Sequence, residues 1–333
     1  MNSPGADISR LERVAYNRVS FWTGILFALI GLFVFAAIFN FIWPTIGANL
    51  SQGGLLLLGL IFSLVPAGLW LVFFYRLDRR EPEPKRMVFN VFMVGLLLAA
   101  ALYQPVVQGM FTVDSWLYHR WWVRLLGGIL IVGFVEQFLV YLAVRYGVFE
   151  DAEFDERIDG VIYAIAAGLG FATFLNFRYV IERGGVDLDI GSIRMVVNAL
   201  AHASFAGVLG YFIGQTRFEK TPVYYLPLGL TIAAVMNGLF FFIIEQARGG
   251  GLGVNPWINL IFATLVAVLT MIIVFWLVAR ANEETLRVAH AGAPSGFPTS
   301  AVAVPPLDPT LDLSATELTT ETIAEANEEK ELA

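Results

Sequence analysis

Long apolar stretches alternate with short polar segments along most of this chain. A helix crosses the hydrocarbon core of a bilayer with about 20 consecutive apolar residues, and eight stretches reach that length. The pattern therefore predicts an all-α fold, a polytopic transmembrane bundle of eight helices. The predicted spans are approximately residues 21–43, 55–75, 88–108, 125–145, 160–181, 194–214, 223–245 and 256–279.

The segments outside these spans divide the chain into three regions. Residues 1–20 form a polar arm with three arginines. After Arg280 the chain becomes rich in Pro, Ser, Thr and Ala and then acidic, with too little apolar surface to form a core. We predict a cytoplasmic N-terminal arm at 1–20, a transmembrane domain at 21–280 and a disordered acidic cytoplasmic tail at 281–333.

The distribution of Lys and Arg among the connecting segments predicts the orientation. Segments on one side carry fourteen of these residues, and segments on the other side carry six. Because cytoplasmic loops are enriched in Lys and Arg, both termini of this multi-pass cell-membrane protein are predicted to be cytoplasmic. The richest loop, 76–87, holds five of them, and its charges are interpreted as those of a solvated loop.

Composition supports a membrane location and excludes several classes of function. Hydrophobic residues make up 57% of the chain and charged residues 15%, against about 45–50% and about 25% in soluble domains. The net charge of −7 and the lack of a basic footprint exclude a nucleic-acid partner. Since the chain has no cysteine, it has no disulfide, thiol nucleophile or cysteine-ligated metal.

An acid and an amide, Glu136 and Gln137, interrupt the fourth apolar span near its midpoint. An ionisable group at that depth costs at least ~2.5 kcal/mol to insert, so it usually faces the protein interior and belongs to a functional site. Asn176 in the fifth span, and Asn198 and His202 in the sixth, are candidates to meet it. With the predicted orientation they lie between the outer surface and the midplane, and Asn198 and His202 share a helical face.

A purely structural role for these polar residues is the alternative. Polar side chains on neighbouring membrane helices form hydrogen-bonded clusters that fix packing, each bond contributing roughly 0.6–2 kcal/mol. We favour this interpretation for Asn237 and Asn259. For Glu136 the cost of burying a carboxylate favours a functional site.

Four short passages between about residues 75 and 220 carry further information. They lie before the third span, around Glu136, from the loop before the fifth span into that span, and around His202. Their residues are Asp78-Arg79-Arg80-Glu81-Pro82-Glu83-Pro84; Phe134-Val135-Glu136-Gln137; Phe154-Asp155-Glu156-Arg157-Ile158-Asp159-Gly160 with Gly168-Leu169-Gly170-Phe171-Ala172 and Asn176-Phe177-Arg178-Tyr179; and Ala201-His202-Ala203 with Gly207 and Gly210-Tyr211. In this order they resemble the PrsW family of intramembrane proteases, distant relatives of the CAAX prenyl endopeptidases.

The family pattern has two adjacent glutamates followed by a basic residue, a phenylalanine with a glutamate four positions later, and a histidine on a further helix. Glu136, Phe171 and His202 match it, and Asn176 is also as the family has it.

This chain departs from the pattern at three positions. Gln137 stands at the second glutamate, Val140 at the basic residue and Leu175 at the glutamate of the second motif. The departures bear on activity, since two of them remove a carboxylate.

The resemblance implies an intramembrane endopeptidase that hydrolyses peptide bonds of membrane proteins. Glu136 would then activate water as a general base, and His202 with Asn198 or Asn176 would donate hydrogen bonds to the oxyanion. Gln137 cannot ionise and would orient water or substrate. The expected partners are the lipid bilayer and a membrane protein or peptide substrate.

Other interpretations stay open beside the peptidase. The three departures favour a catalytically degenerate member that binds membrane segments or acts as a scaffold. A transporter is a weaker alternative, because broken helices and inverted repeats are not evident. Catalytic zinc usually takes three protein ligands, and within the spans only Glu136 and His202 are good candidates. We therefore expect no metal and no other cofactor.

Overall fold

The computed structural model describes residues 51–75, 83–182, 190–248, 264–265 and 268–280. Within these ranges every regular element is helical, which confirms an all-α fold. The α-helices are α1 (Gln52–Tyr75), α2 (Lys85–Leu98), α3 (Trp121–Gly127), α4 (Phe134–Gly147), α5 (Arg157–Glu182), α6 (Ile190–Phe218), α7 (Tyr225–Arg248) and α8 (Val268–Arg280).

Six helical segments in the described part of the chain are long and apolar enough to cross a membrane, and they correspond to the second to seventh predicted spans. They are Gln52–Tyr75, Lys85–Ser115, Trp121–Gly147, Arg157–Glu182, Arg194–Phe218 and Tyr225–Ile244. The shorter apolar helix α8 falls in the second half of the predicted eighth span. The first predicted span, the N-terminal arm and the tail lie outside the described residues, and the orientation of the termini stays a prediction.

The centre of the bundle is formed by α5 and α6. In their most apolar windows 89% and 83% of the residues are buried, against 33% in α1 and in α7. Glycines allow their backbones to meet, as small residues do between membrane helices. A Cβ on Gly160 would stand 2.6 Å from the backbone nitrogen of Gly214, and one on Gly168 would stand 2.8 Å from the carbonyl oxygen of His202. His202 is thereby placed in the middle of the bundle.

Three π-helical turns interrupt the segments that contain α2, α3 and α4. Two follow α2, at Ala99–Tyr103 and Pro105–Met110, and the third, Gly128–Gly133, joins α3 to α4. Such turns are rare and frequently occur at functional sites. One of them ends at Tyr103, and another ends three residues before Glu136.

A polar network ties the loop at 148–156 to the ends of α5 and α6. Arg157 at the start of α5 forms an ion pair with Glu219 at 3.1 Å. Arg217 near the end of α6 donates to the carbonyl oxygen of Asp151 at 2.8 Å. The Arg157 side chain is only 7% exposed, so the network continues into the bundle.

Glu83 shows that the interpretation of loop 76–87 as solvated is wrong for this residue. Its side chain is buried and accepts a hydrogen bond from the hydroxyl of Tyr163, which is also buried. Because Tyr163 lies on α5, this bond holds the segment before α2 against the central helix. A buried polar group requires such a partner.

Candidate active site

Glu136 lies in the first turn of α4 with its carboxylate buried inside the bundle. The side-chain nitrogen of Asn237, on α7, donates to its Oε2 at 2.7 Å. The hydroxyl of Tyr103, at the end of a π turn, also lies close to the carboxylate. The segments that contain α2, α4 and α7 therefore meet at one carboxylate.

His202 approaches the same carboxylate from α6. Its Nδ1 lies 3.7 Å from Oε2 of Glu136, which is longer than a direct hydrogen bond. The ring is buried and stacks on Phe171 of α5, with centroids 6.0 Å apart and planes inclined by 24°. Phe171 also packs edge-on against Tyr103 at 5.5 Å. One aromatic ring thus orients two of the side chains around Glu136.

Asn176 and Asn198 form a separate pair. The Asn198 side chain donates to Asn176 Oδ1 at 2.9 Å, and Asn176 donates to the carbonyl oxygen of Met195 at 3.0 Å. These bonds join α5 to α6 one turn from His202. Among the described residues no hydrogen bond connects either asparagine to Glu136 or His202, so the pair is placed to support α6 beside the carboxylate.

Gln137 follows Glu136 and is fully buried. Neither its Oε1 nor its Nε2 has a hydrogen-bond partner among the described residues. Leaving a buried polar group unpaired costs about 1–3 kcal/mol. The amide at the second glutamate position is therefore inside the bundle and unsatisfied.

Two residues of this cluster differ from the sequence-based expectation. Asn237 was interpreted as a packing residue, and its bond to Glu136 makes it a direct neighbour of the candidate site. Tyr103 was not considered. The signal for Asn237 was its depth, since a position about eight residues below the outer end of its predicted span places it in the same layer as His202. No comparable signal marked Tyr103.

The three residues that depart from the family pattern, Gln137, Val140 and Leu175, are all uncharged. Val140 is buried in the main hydrophobic core, and Leu175 packs against the smaller core that contains Tyr103 and Phe171. No ionisable side chain replaces the missing carboxylates at these positions. Glu136 is thus the carboxylate that meets His202 in the described part of the bundle.

The described residues around Glu136 do not fit a catalytic zinc ion. Such a site usually takes three protein ligands, and no group of three His, Cys, Asp or Glu residues occurs within the described ranges. Glu136 and His202 supply two donors of the required kind, while their neighbours Asn237 and Tyr103 are a neutral amide and a phenol. Leu175 adds no donor at the position where the family pattern has a glutamate.

Comparisons with known proteins agree with the family resemblance. Residues 83–278 match the model of a family described as PrsW family intramembrane metalloprotease. Among curated proteins, the chain is 28% identical over 191 residues to Protease PrsW of Bacillus subtilis (strain 168), covering 55% of this chain and 84% of the relative. It is 26% identical over 230 residues to Protease PrsW of Oceanobacillus iheyensis, covering 67% of this chain and 96% of the relative.

A third relative, Protease PrsW of Clostridioides difficile (strain 630), is 24% identical over 188 residues, or 55% of this chain and 78% of the relative. No solved structure matches the chain significantly. The matched region contains every helix from α2 to α7 and most of α8, together with Glu136 and His202. With a buried Glu136–His202 centre inside a bundle of membrane-spanning helices and a family match over more than half of its length, this chain belongs to the PrsW family of intramembrane proteases.

Proposed function

We propose that this chain is an intramembrane endopeptidase that hydrolyses peptide bonds of membrane proteins by a water molecule activated by Glu136. The observation that carries the proposal is the approach of His202 Nδ1 to Glu136 Oε2, at 3.7 Å, inside a membrane-spanning bundle. A base and a hydrogen-bond donor at one point are the parts that peptide hydrolysis without a protein nucleophile requires.

Glu136 has the acceptor capacity to hold a water molecule. A carboxylate offers about four lone-pair positions, and the hydrogen bond from Asn237 occupies one of them. In the proposed step Glu136 takes one proton from the water while the oxygen attacks the carbonyl carbon of the scissile bond. The protonated Glu136 then gives this proton to the leaving nitrogen as the carbon–nitrogen bond breaks.

His202 is the proposed donor to the oxyanion. The negative charge develops on the carbonyl oxygen, and an N–H group fixed in advance stabilises it without reorganisation. Stacking on Phe171 fixes the imidazole plane. In this scheme Asn176 and Asn198 are positioning residues, because their bonds join α5 and α6 beside His202. Gln137 orients the substrate.

A second candidate function is binding without hydrolysis. The apolar packing of Val140 and Leu175 favours it, because these positions carry charged residues in the family pattern. A degenerate member would capture membrane segments or assemble partners through the same interior surface. The same set of variants separates this function from the peptidase.

The test is cleavage of a model membrane-spanning substrate by the purified protein in liposomes. Glu136→Gln keeps the shape and hydrogen bonding of the side chain but removes the base, and a general base is typically worth about 10²–10⁴-fold in rate. Cleavage should fall by that factor while the thermal unfolding temperature is retained. Glu150→Gln, at an exposed carboxylate, is the matched control and should cleave normally.

The remaining outcomes decide between the two functions. Undiminished cleavage by Glu136→Gln would refute the base role. Cleavage that appears only after the double substitution Gln137→Glu and Leu175→Glu would mark the natural chain as degenerate. His202→Ala should reduce the rate by an amount equivalent to about 2.7–4 kcal/mol, as for the loss of an oxyanion donor.

A further inference from the structure

Gln137 takes no part in the bond-making steps of the proposed hydrolysis, in which it orients the substrate. It is 0% exposed, and both polar atoms of its side chain lack a hydrogen-bond partner among the described residues. Native structures rarely leave buried polar groups unpaired, and each exception calls for an explanation. An amide is especially demanding, because its oxygen accepts and its nitrogen donates.

The helical position of Gln137 places it at the seam between α4 and α7. Gly133 lies four residues earlier and therefore on the same helical face. A Cβ on Gly133 would stand 3.0 Å from the backbone nitrogen of Gly238 and would also meet the carbonyl oxygen of Ala234, both on α7. Glu136, which precedes Gln137, accepts a hydrogen bond from Asn237, and Asn237 also lies on α7. The unpaired amide and the candidate base thus belong to one seam.

Helix α7, which forms one side of this seam, lies at the periphery of the bundle. In the most apolar window of α7 33% of residues are buried, whereas the windows of α5 and α6 reach 89% and 83%. Separation of α4 and α7 therefore disturbs less packing than separation of α5 and α6. A segment that enters from the lipid between α4 and α7 would meet Gln137 and Glu136 together.

The side-chain amide of Gln137 can pair with the main-chain N–H and C=O groups of a bound peptide. Its Nε2 can donate to a carbonyl oxygen and its Oε1 can accept from an N–H. In a membrane helix both main-chain groups are already bonded within the helix, and only an unwound stretch offers them. Extended segments are commonly recognised through such main-chain hydrogen bonds.

We propose that Gln137 is the main-chain anchor of the substrate site, and that its ligand is an unwound stretch of a membrane-spanning peptide held at the seam of α4 and α7. This inference rests on the proposed function, since it assigns the substrate class of the same site. Gln137 acts as a positioning residue, and Glu136 carries the chemistry.

Binding is measured with the purified full chain in nanodiscs and a fluorescent peptide of about 20 apolar residues with a central Gly-Gly pair. Gln137→Met keeps the length of the side chain and removes both hydrogen-bonding atoms. The peptide dissociation constant should increase about tenfold, the effect of losing one to two hydrogen bonds at a desolvated site. The unfolding temperature of the free protein should rise by about 2–4 °C, because an unpaired buried amide is gone.

A purely structural amide, or one that holds a buried water molecule, predicts a different result. The unfolding temperature of Gln137→Met would then fall and peptide binding would stay unchanged, which would overturn the proposal. Trp70→Phe is the matched control, since it also removes a buried N–H that has no partner in the described part of the chain, but on α1. It should leave binding unchanged, and an equal loss of binding in this variant would refute a specific role for Gln137.

A second measurement changes the peptide and compares wild type with Gln137→Met. Peptides in which a single central amide is replaced by an ester lose one N–H, and the ester is placed at each central position in turn. At one position the ester should weaken binding to wild type several-fold, and it should have no effect on Gln137→Met. Equal effects on both proteins would overturn the anchor.

Cleavage of the same peptides is followed in parallel by mass spectrometry. Binding that depends on Gln137 without any hydrolysis would refute the proposed peptidase and leave the anchor in place. Hydrolysis that depends on Glu136, with binding independent of Gln137, would refute the anchor and leave the peptidase.

Discussion

Gly133→Ala is expected to reduce activity while the protein still folds. The new methyl group would stand 3.0 Å from the backbone nitrogen of Gly238 and closer still to the carbonyl oxygen of Ala234, while ordinary contact begins at 3.4 Å, so α4 and α7 must separate by more than 0.4 Å there. The separation acts directly on the bond between Asn237 and Glu136, which is 2.7 Å long.

The expected change in stability is the sum of two opposing contributions. Overpacking of a tight contact costs about 1–3 kcal/mol, and replacing glycine by alanine within a helix returns about 1 kcal/mol. The net loss of stability should therefore be about 0–2 kcal/mol. A displacement of about 1 Å in a catalytic group can cost about 10²-fold in rate, so we expect a ten- to hundredfold loss of cleavage.

Cleavage of a reconstituted membrane substrate and thermal unfolding in micelles are measured on the same preparation. Gly68→Ala on α1 is the matched control, because a Cβ there meets no atom within 4 Å. It should be neutral or slightly stabilising and fully active. If Gly133→Ala cleaves at the wild-type rate, the contact between α4 and α7 does not hold Glu136 in its working position, and the reasoning from backbone contact to activity fails.

Three further predictions concern the rest of the chain. Reporter fusions after Arg280 should locate to the cytoplasm and fusions near Gly250 to the opposite side, and the reverse pattern would overturn the orientation read from Lys and Arg. Truncation after Glu284 should leave membrane insertion and thermal stability nearly unchanged, because the predicted tail has no apolar face; a large fall in stability would show that the tail docks on the rest of the protein. Tyr163→Phe should lower stability by about 1–3 kcal/mol in unfolding experiments, because buried Glu83 loses the hydroxyl that donates to it, and an unchanged unfolding temperature would contradict this role.

The sequence predicted the membrane spans well because a span has a simple physical cause. About 20 apolar residues are needed to cross the hydrocarbon core, so hydropathy alone locates α1, α5 and α6 to within a few residues. The same reasoning isolates Glu136, because a carboxylate in an apolar span needs a reason to be there. His202 followed as a polar residue at matching depth, and the two are 3.7 Å apart.

The hydrogen-bond partners of the polar residues were harder to predict. Depth in the membrane limits which residues can meet, but several residues share the same depth. Asn176 and Asn237 lie in the same predicted layer, but Asn237 bonds to Glu136 while Asn176 bonds to Asn198. The choice depends on helix rotation, which is set by close contacts such as that of Gly133 with α7. Tyr103 was not predicted for a related reason. It ends a π turn, and the α-helical period used to assign faces does not hold there.

The π turn at Gly128–Gly133 also affects how this span tolerates changes in length. A π turn closes bonds between residues i and i+5, so it holds more residues than an α turn. Loss of one residue from this turn can be absorbed by its return to α geometry, with Glu136 still directed at Asn237. Loss of one residue between Phe134 and Glu136 would instead rotate the carboxylate by about 100° relative to the helix before it. A single-residue deletion within Gly128–Gly133 should therefore preserve the contact between Glu136 and Asn237, whereas deletion of Val135 should break it.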